Sequence, residues 1–399
     1  MVANVAYRQV VHIDAHSGYA QLPRYLADRV QVRTIEPARL PGPLAQRLAR
    51  SAGSAFYEPV GARLELAVAR RLLAAPDEVC HLLYAEDHFN HLARLGGLPL
   101  RRGALVATFH QPPEVAERVL AWPDLRERLA ALDAAIALAP DQAGWLAERM
   151  PPERVHLVPG GVNAHRFRPA AAAPPEPPVR CLSVGSWLRD HDVLAQAIGL
   201  VAARSDEVAF EVVVPERERE RFVGLPRTHV RVGLTSEELL DAYRSAHLAV
   251  LAVTGATRNN ALGEALACGL PVVATAVGGV PTTLGEAGVL TPPGDAQALA
   301  AAIVALARSP ARRRALGRLA RERAEQLDWP HAAWSTVRVY EAALELRRGA
   351  GRARARMGAR SARRGPRRLE ATAGFRAGAG CPGPERRSGL PAGPELDAR

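Results

Sequence analysis

The chain has 399 residues, 48% of them apolar, enough for two domains with full cores. It contains no apolar run long enough to span a bilayer and no charged-then-apolar leader at its start, so the expected compartment is the cytoplasm. The net charge of +11 sits almost wholly in residues 347–399, where 14 arginines face four acids; a nearly neutral body argues against nucleic acid as a partner.

The first strand is expected at Gln9–Ile13, followed by a turn, His16-Ser17-Gly18-Tyr19, into a helix carrying Leu22, Tyr25 and Leu26. A glycine turn at a strand's C-terminal end suits close approach by a ligand, or is an ordinary strand-to-helix turn. Residues 31–37 read as a second strand. Residues 38–54 read as a loop with one basic helical turn, packed on the domain; Leu44, Arg47, Leu48 and Arg50 also fit a helix lying on a membrane surface. An amphipathic helix follows from Tyr57 to Leu73, then a buried strand from Val79 to Tyr84. His81, His88 and His91 lack a carboxylate to complete a metal set, so no metal is expected.

Ala104 to His110 is a strand that ends in a histidine, before Gln111-Pro112-Pro113. A histidine there, ahead of a proline-started helix, points toward a crevice at the strand ends. Leu132–Ala139 is a strand and Asp141–Met150 a helix. Val155–Pro159 leads into Gly160-Gly161-Val162-Asn163, and the Pro/Ala stretch 169–178 is a linker.

The second half restarts with a strand ending at Gly185, then Ser186-Trp187-Leu188-Arg189 and a helix through Leu194, Ile198 and Val201. Strands follow at Phe210–Val214 and Val230–Gly233, with Ser236 capping a helix and a strand at Leu248–Val253. Asn259 and Asn260 open the next helix, so backbone N–H groups from Asn259 to Ala261 face an anion. Leu262, Ala265 and Leu266 share one helix face, Gly269 stops it, and Pro271 opens a buried strand, Val272–Ala276. Asp295 caps a helix to Ser309, and two further helices cover 310–327 and 330–346. Residues 347–399 lack apolar periodicity and are expected to be disordered. Cys80, Cys181, Cys268 and Cys381 are scattered and read as reduced thiols.

The run Glu264-Ala265-Leu266-Ala267-Cys268-Gly269-Leu270-Pro271-Val272-Val273-Ala274-Thr275, then Val277-Gly278-Gly279, resembles the donor site of the GT-B glycosyltransferases, retaining family 4 type (glycosyl transferases group 1). That pattern has a first Glu eight positions earlier, which usually contacts the sugar; here it is Ala256. Residues 155–169 resemble the family's I-P-N-G-V-D-x-x-x-F-x-P, with Gly160 for its Asn and Asn163 for its Asp.

The resemblance implies an α/β fold of two Rossmann-like domains facing across a cleft. Residues 1–168 would form the acceptor side and 179–329 the nucleotide-sugar domain, with 330–346 crossing back to the first. It implies hexosyl transfer from a nucleotide sugar to an acceptor hydroxyl, with retention and without metal or resident cofactor. Peripheral contact with the inner membrane face is compatible with it. Glu264 would hold the ribose, and His110 would lie beside the sugar. Arg189, following Gly185 at the place of the family's lysine, would face the diphosphate together with the N–H groups of Asn259, Asn260 and Ala261. Gly18 would admit the N-terminal loop, and the loop after Gly233 would face the base. Two alternatives stand beside this: a GT-B epimerase that hydrolyses its nucleotide sugar, and a non-catalytic sugar-nucleotide-binding protein.

Overall fold

The computed structural model describes residues 1–8, 17–52, 54, 56–95, 98, 101–120, 124–172 and 174–363, with side chains to residue 349. One compact unit, Met1–Arg347, holds two sheets. The first is formed by β1 (Val2–Ala6), β2 (Gln31–Thr34), β3 (Glu78–Leu82), β4 (Ala104–Thr108), β5 (Ala134–Ala137) and β6 (Val155–Leu157). The second is formed by β7 (Val179–Val184), β8 (Val208–Val213), β9 (Thr228–Arg231), β10 (Leu248–Leu251), β11 (Val272–Thr275) and β12 (Gly288–Thr291). Every pairing is parallel, in the orders β2-β1-β3-β4-β5-β6 and β12-β11-β10-β7-β8-β9.

Parallel strands need helical crossovers, and the helices cover both faces of each sheet, so central strands read as unbroken apolar runs. The two-residue strand period then divides the buried side chains. Leu105 and Ala107 enter one core while Ala104 and Val106 enter another. Leu251 and Ala274 face one core of the second sheet, and Val250 and Val273 the other. The strand order reverses between β1 and β3 in the first sheet and between β7 and β10 in the second. In open α/β sheets such reversals place the crevice that takes ligands.

The last helix, Trp329–Arg363, starts beside the second sheet's final helices and closes the first domain. Its Trp329, Ala333, Val339, Tyr340 and Ala343 are buried with Val5, Val79 and Val106. His81 is the polar rivet of this packing. Its Nδ1 meets Tyr340 Oη at 2.7 Å and its Nε2 meets Thr108 Oγ1 at 2.8 Å. Burial drags the imidazole down to about 3, so it is neutral at physiological pH.

Several expectations shift. β1 lies at Val2–Ala6, because this run is buried between two partners; the expected strand at Gln9–Ile13 and His16 lie outside the described residues. Residues Gly42–Ser51 are a full helix, packed through Leu48 and Ala49 onto Ala52, Tyr57 and Ala62 and leaving Leu44 exposed. Thr235, not Ser236, caps its helix: its hydroxyl accepts the Glu238 N–H and the Glu238 carboxylate returns to the Thr235 N–H, a capping box. The last helix was expected to end at 346. It extends to Arg363, inside the second unit Arg348–Arg399, since Ala and Arg favour helix and no proline interrupts before Pro366; residues 364–399 lie outside the described residues. None of the described helices is long and apolar enough to cross a membrane.

Replacing His81 with Leu orphans Tyr340 Oη in a dry core and leaves Thr108 Oγ1 only its 3.5 Å bond to Tyr19 Oη. Such an orphan costs about 1–3 kcal/mol. Urea unfolding of His81→Leu should show a midpoint well below wild type; an unchanged midpoint would show that the last helix docks without this bond.

Candidate functional site

The loops after β7 and β10 meet at the strand reversal of the second sheet. Gly185 follows β7 at φ 99°, a left-handed conformation suited to glycine, and a Cβ there would lie 2.9 Å from Arg189 Nη2. Arg189 curls back into that space. Its Nε and Nη2 donate to the Val184 carbonyl at 3.1 and 2.9 Å, and its Nη1 donates to the Trp187 carbonyl at 3.1 Å. Nη2 also reaches Asn259 Oδ1 at 3.4 Å, which ties the β7 loop to the β10 loop. Burial lowers the guanidinium to about 10, which leaves it charged at neutral pH. The neighbouring acids do not pair with it: Asp190 caps the next helix and Asp192 pairs with Arg221.

Asn259 caps the helix Asn260–Ala267, its Oδ1 accepting the Leu262 N–H at 3.1 Å. One turn on, Glu264 is 5% exposed. Tyr243 Oη donates to its Oε2 at 2.9 Å, and Ser17 Oγ of the first domain donates to its Oε1 at 2.5 Å. Gly278 and Gly279 serve the same loop from behind. A Cβ on Gly278 would overlap the Ala256 carbonyl and one on Gly279 the Thr257 carbonyl, while Gly279 N–H donates to Ala256 O at 2.8 Å.

The first domain meets this group with His110. The Glu86 carboxylate accepts the backbone N–H of His110 and of Gln111 at 2.7 and 2.8 Å, which fixes the loop after β4. His110 Nε2 donates to the Leu83 carbonyl at 2.7 Å, and the ring stacks on Tyr84 and meets Tyr19 edge-on, at 4.5 and 4.9 Å between centroids. Burial lowers His110 to about 4, with the Arg258 charge adding to the shift. The ring is therefore neutral, carries its proton on Nε2 and keeps Nδ1 as an acceptor. Thr257 Oγ1 donates to the His110 carbonyl at 2.6 Å, joining the two domains. Gly18, at φ 78°, turns the chain so that Ser17 reaches Glu264 and Tyr19 reaches His110.

The structure thus gathers Gly18, His110, Gly185, Arg189, Asn259, Asn260, Ala261 and Glu264 around one crevice. Gly233 follows β9, an edge strand two places from β7, and among the described residues no hydrogen bond or side-chain contact joins it to the group. Sequence reading missed Ser17, Glu86 and Tyr243 as partners. Tyr243 was the most findable, since it shares the buried face of its helix with Leu240. Glu86 carries no local signal. Burial pushes its carboxyl up to about 7, and among the described residues its Oε2 has no hydrogen-bond partner. Among the described residues no cluster of His, Cys, Asp and Glu is arranged to hold a metal ion.

Residues 178–309 match the family model of Glycosyl transferases group 1. A D-inositol 3-phosphate glycosyltransferase from Streptomyces avermitilis is 31% identical over 266 residues, covering 59% of this chain and 57% of that protein. An MMP alpha-(1->4)-mannosyltransferase from Mycolicibacterium hassiacum is 30% identical over 204 residues, covering 48% and 49%. The chain spans less than three fifths of the length of either relative. Among solved structures, sucrose-phosphate synthase from Thermosynechococcus elongatus aligns at TM-score 0.63 and 22% identity, over 85% of this chain and 98% of that one. HepE from Anabaena in complex with UDP and glucose aligns at 0.61 and 13%, over 86% and 100%. The fold is GT-B, two Rossmann-like domains.

His110 has its folded pKa below the ordinary 6.5, so its contribution to stability is complete above that pH. The contribution is lost as pH falls from 6.5 through about 4. An NMR titration of the histidine rings should find His110 neutral down to pH 5; a midpoint near 6.5 would contradict the buried, Nε2-donating ring.

Proposed function

We propose that this GT-B protein, a relative of the group 1 glycosyl transferases, moves a sugar from a nucleotide-sugar donor to an acceptor hydroxyl with retention. The observation that carries the reading is the Glu264 carboxylate, buried at the strand reversal of the second domain and touched there by Ser17 of the first. A carboxylate so placed accepts paired hydroxyls, and a ribose offers two of them. The matched family model, the sugar-transferring relatives and a neighbour holding UDP and glucose support the same assignment.

In this reading the bond from the sugar's anomeric carbon to the diphosphate breaks while the acceptor oxygen attacks from the same face, and the acceptor's proton passes to the leaving phosphate oxygen. The leaving diphosphate gains one negative charge, on the oxygen that held the sugar. Arg189 and the backbone N–H groups at the start of the Asn260–Ala267 helix neutralise that charge without a metal. Neutral His110 holds a sugar hydroxyl through Nδ1 and is not a general base, because its pKa of about 4 leaves little proton affinity. The acceptor, a saccharide, lipid-linked saccharide or small molecule, enters from the first domain.

Ala256 favours a second reading, a sugar-nucleotide-binding protein without turnover, because a group that usually contacts the sugar is absent. Radiolabelled sugar transfer separates the two. Appearance of labelled product supports the enzyme, and tight donor binding without product or released sugar supports the binder.

Glu264→Gln should weaken nucleotide-sugar binding by about 1.5–3 kcal/mol, the range for a hydrogen bond to a charged group, roughly 10- to 100-fold in Kd. Calorimetry on the folded variant checks this. Unchanged donor affinity would remove Glu264 from the site.

A further inference from the structure

We propose that Arg258 selects a donor whose transferred sugar carries a carboxylate, a nucleotide hexuronate. The inference rests on the proposed function and adds the class of sugar. Arg258 stands two residues after Ala256, on the loop that Thr257 fastens to the His110 carbonyl. The family pattern has a carboxylate at 256, where this chain has alanine. This chain removes the negative charge and adds a positive one on the same loop. A carboxylate at 256 would repel an anionic sugar, and a guanidinium at 258 attracts it. The two departures thus change the site in the same sense.

The guanidinium is built in. Its Nη1 donates to Asn260 Oδ1 and its Nη2 to the Gly161 carbonyl, and its carbon lies 5.2 Å from the centre of the Trp329 ring. Gly160 makes the room: a Cβ there would overlap Cδ and Nε of Arg258. The family pattern has Asn at this position, and any side chain there would meet Arg258 as it now lies. The arginine's field reaches Tyr19, Tyr84 and His110 on the first domain and Glu264 on the second. The bond to Gly161 and the neighbouring bond from Thr257 to the His110 carbonyl place the guanidinium where this loop meets the first domain.

Among the described residues no carboxylate forms an ion pair with Arg258. Glu264 is engaged by Ser17 and Tyr243, and the partners of Arg258 are neutral. Among the described residues the direct hydrogen-bond partners of Arg258 are neutral and Glu264 acts on its charge without an ion pair, so part of its desolvation cost remains and an incoming carboxylate relieves it through charge-assisted hydrogen bonds.

The test is calorimetric binding of UDP-glucose, UDP-glucuronate, GDP-mannose, GDP-mannuronate, UDP and GDP to wild type, Arg258→Gln and Gly160→Ala, with melting temperatures as fold controls. Wild type should bind the hexuronate of its preferred base at least ten-fold more tightly than the matching hexose. Arg258→Gln should abolish that preference and hold the free diphosphate within two-fold of wild type. Gly160→Ala keeps every charge but displaces the arginine, so it should lose the preference too. Equal binding of hexose and hexuronate by wild type overturns the inference and leaves the proposed function standing. Loss of free diphosphate affinity in Arg258→Gln equal to the loss for the hexuronate overturns it as well, placing the guanidinium on the leaving group. Wild type that binds no nucleotide and no nucleotide sugar overturns the proposed function and this inference together.

Discussion

The crevice depends on one buried carboxylate. Glu264 is almost wholly out of water, and a charge so placed is tolerated only with donors aimed at it. Tyr243 provides one from within the second domain. Ser17 provides another from the first, so the bond that satisfies Glu264 also ties the domains together. Thr257 and the His110 carbonyl repeat the arrangement a few residues away. The two ties make the geometry of the site a property of neither domain alone.

Around these ties the backbone comes unusually close to itself, and the glycines explain how. Gly278 and Gly279 press against the carbonyls of Ala256 and Thr257, and Gly185 lets Arg189 fold onto the Val184 carbonyl. Arg189 then acts on two scales. It neutralises carbonyl oxygens at the end of β7, and it links that end to the helix cap Asn259 at the end of β10. A strand-order reversal leaves a gap between two loop sets, and here that gap is bridged by a cation.

Much of this was legible in the sequence. Unbroken apolar runs such as Ala104–Thr108 and Val272–Thr275 read as buried parallel strands because helices cover both their faces. The stretch from Asn259 to Gly279 carried the family resemblance, since its glycines, cap and carboxylate all lie close together in the chain. What stayed hidden was long-range. Ser17 and Glu264 are separated by 247 positions, and Glu86 reaches the loop after β4 from another strand's end. No periodicity encodes such pairs. The extent of the last helix was missed for a different reason: an Arg- and Ala-rich stretch has the composition of a solvated tail and the propensity of a helix, and composition alone does not choose between them.

The rivet between His81 and Tyr340 has a consequence for how the protein is made. The two residues lie 259 positions apart, so the first domain is completed by almost the last part of the compact unit to be translated. At about 5–20 residues per second, β3 waits on the order of 10–50 s after synthesis before its covering helix leaves the ribosome. Throughout that interval the face carrying Val5, Val79 and Val106 has Tyr19, Leu22 and Leu26 against it but lacks the helix that completes its cover. A chain cut short before the last helix would therefore keep the core of the second domain and leave one face of the first without the helix that completes it.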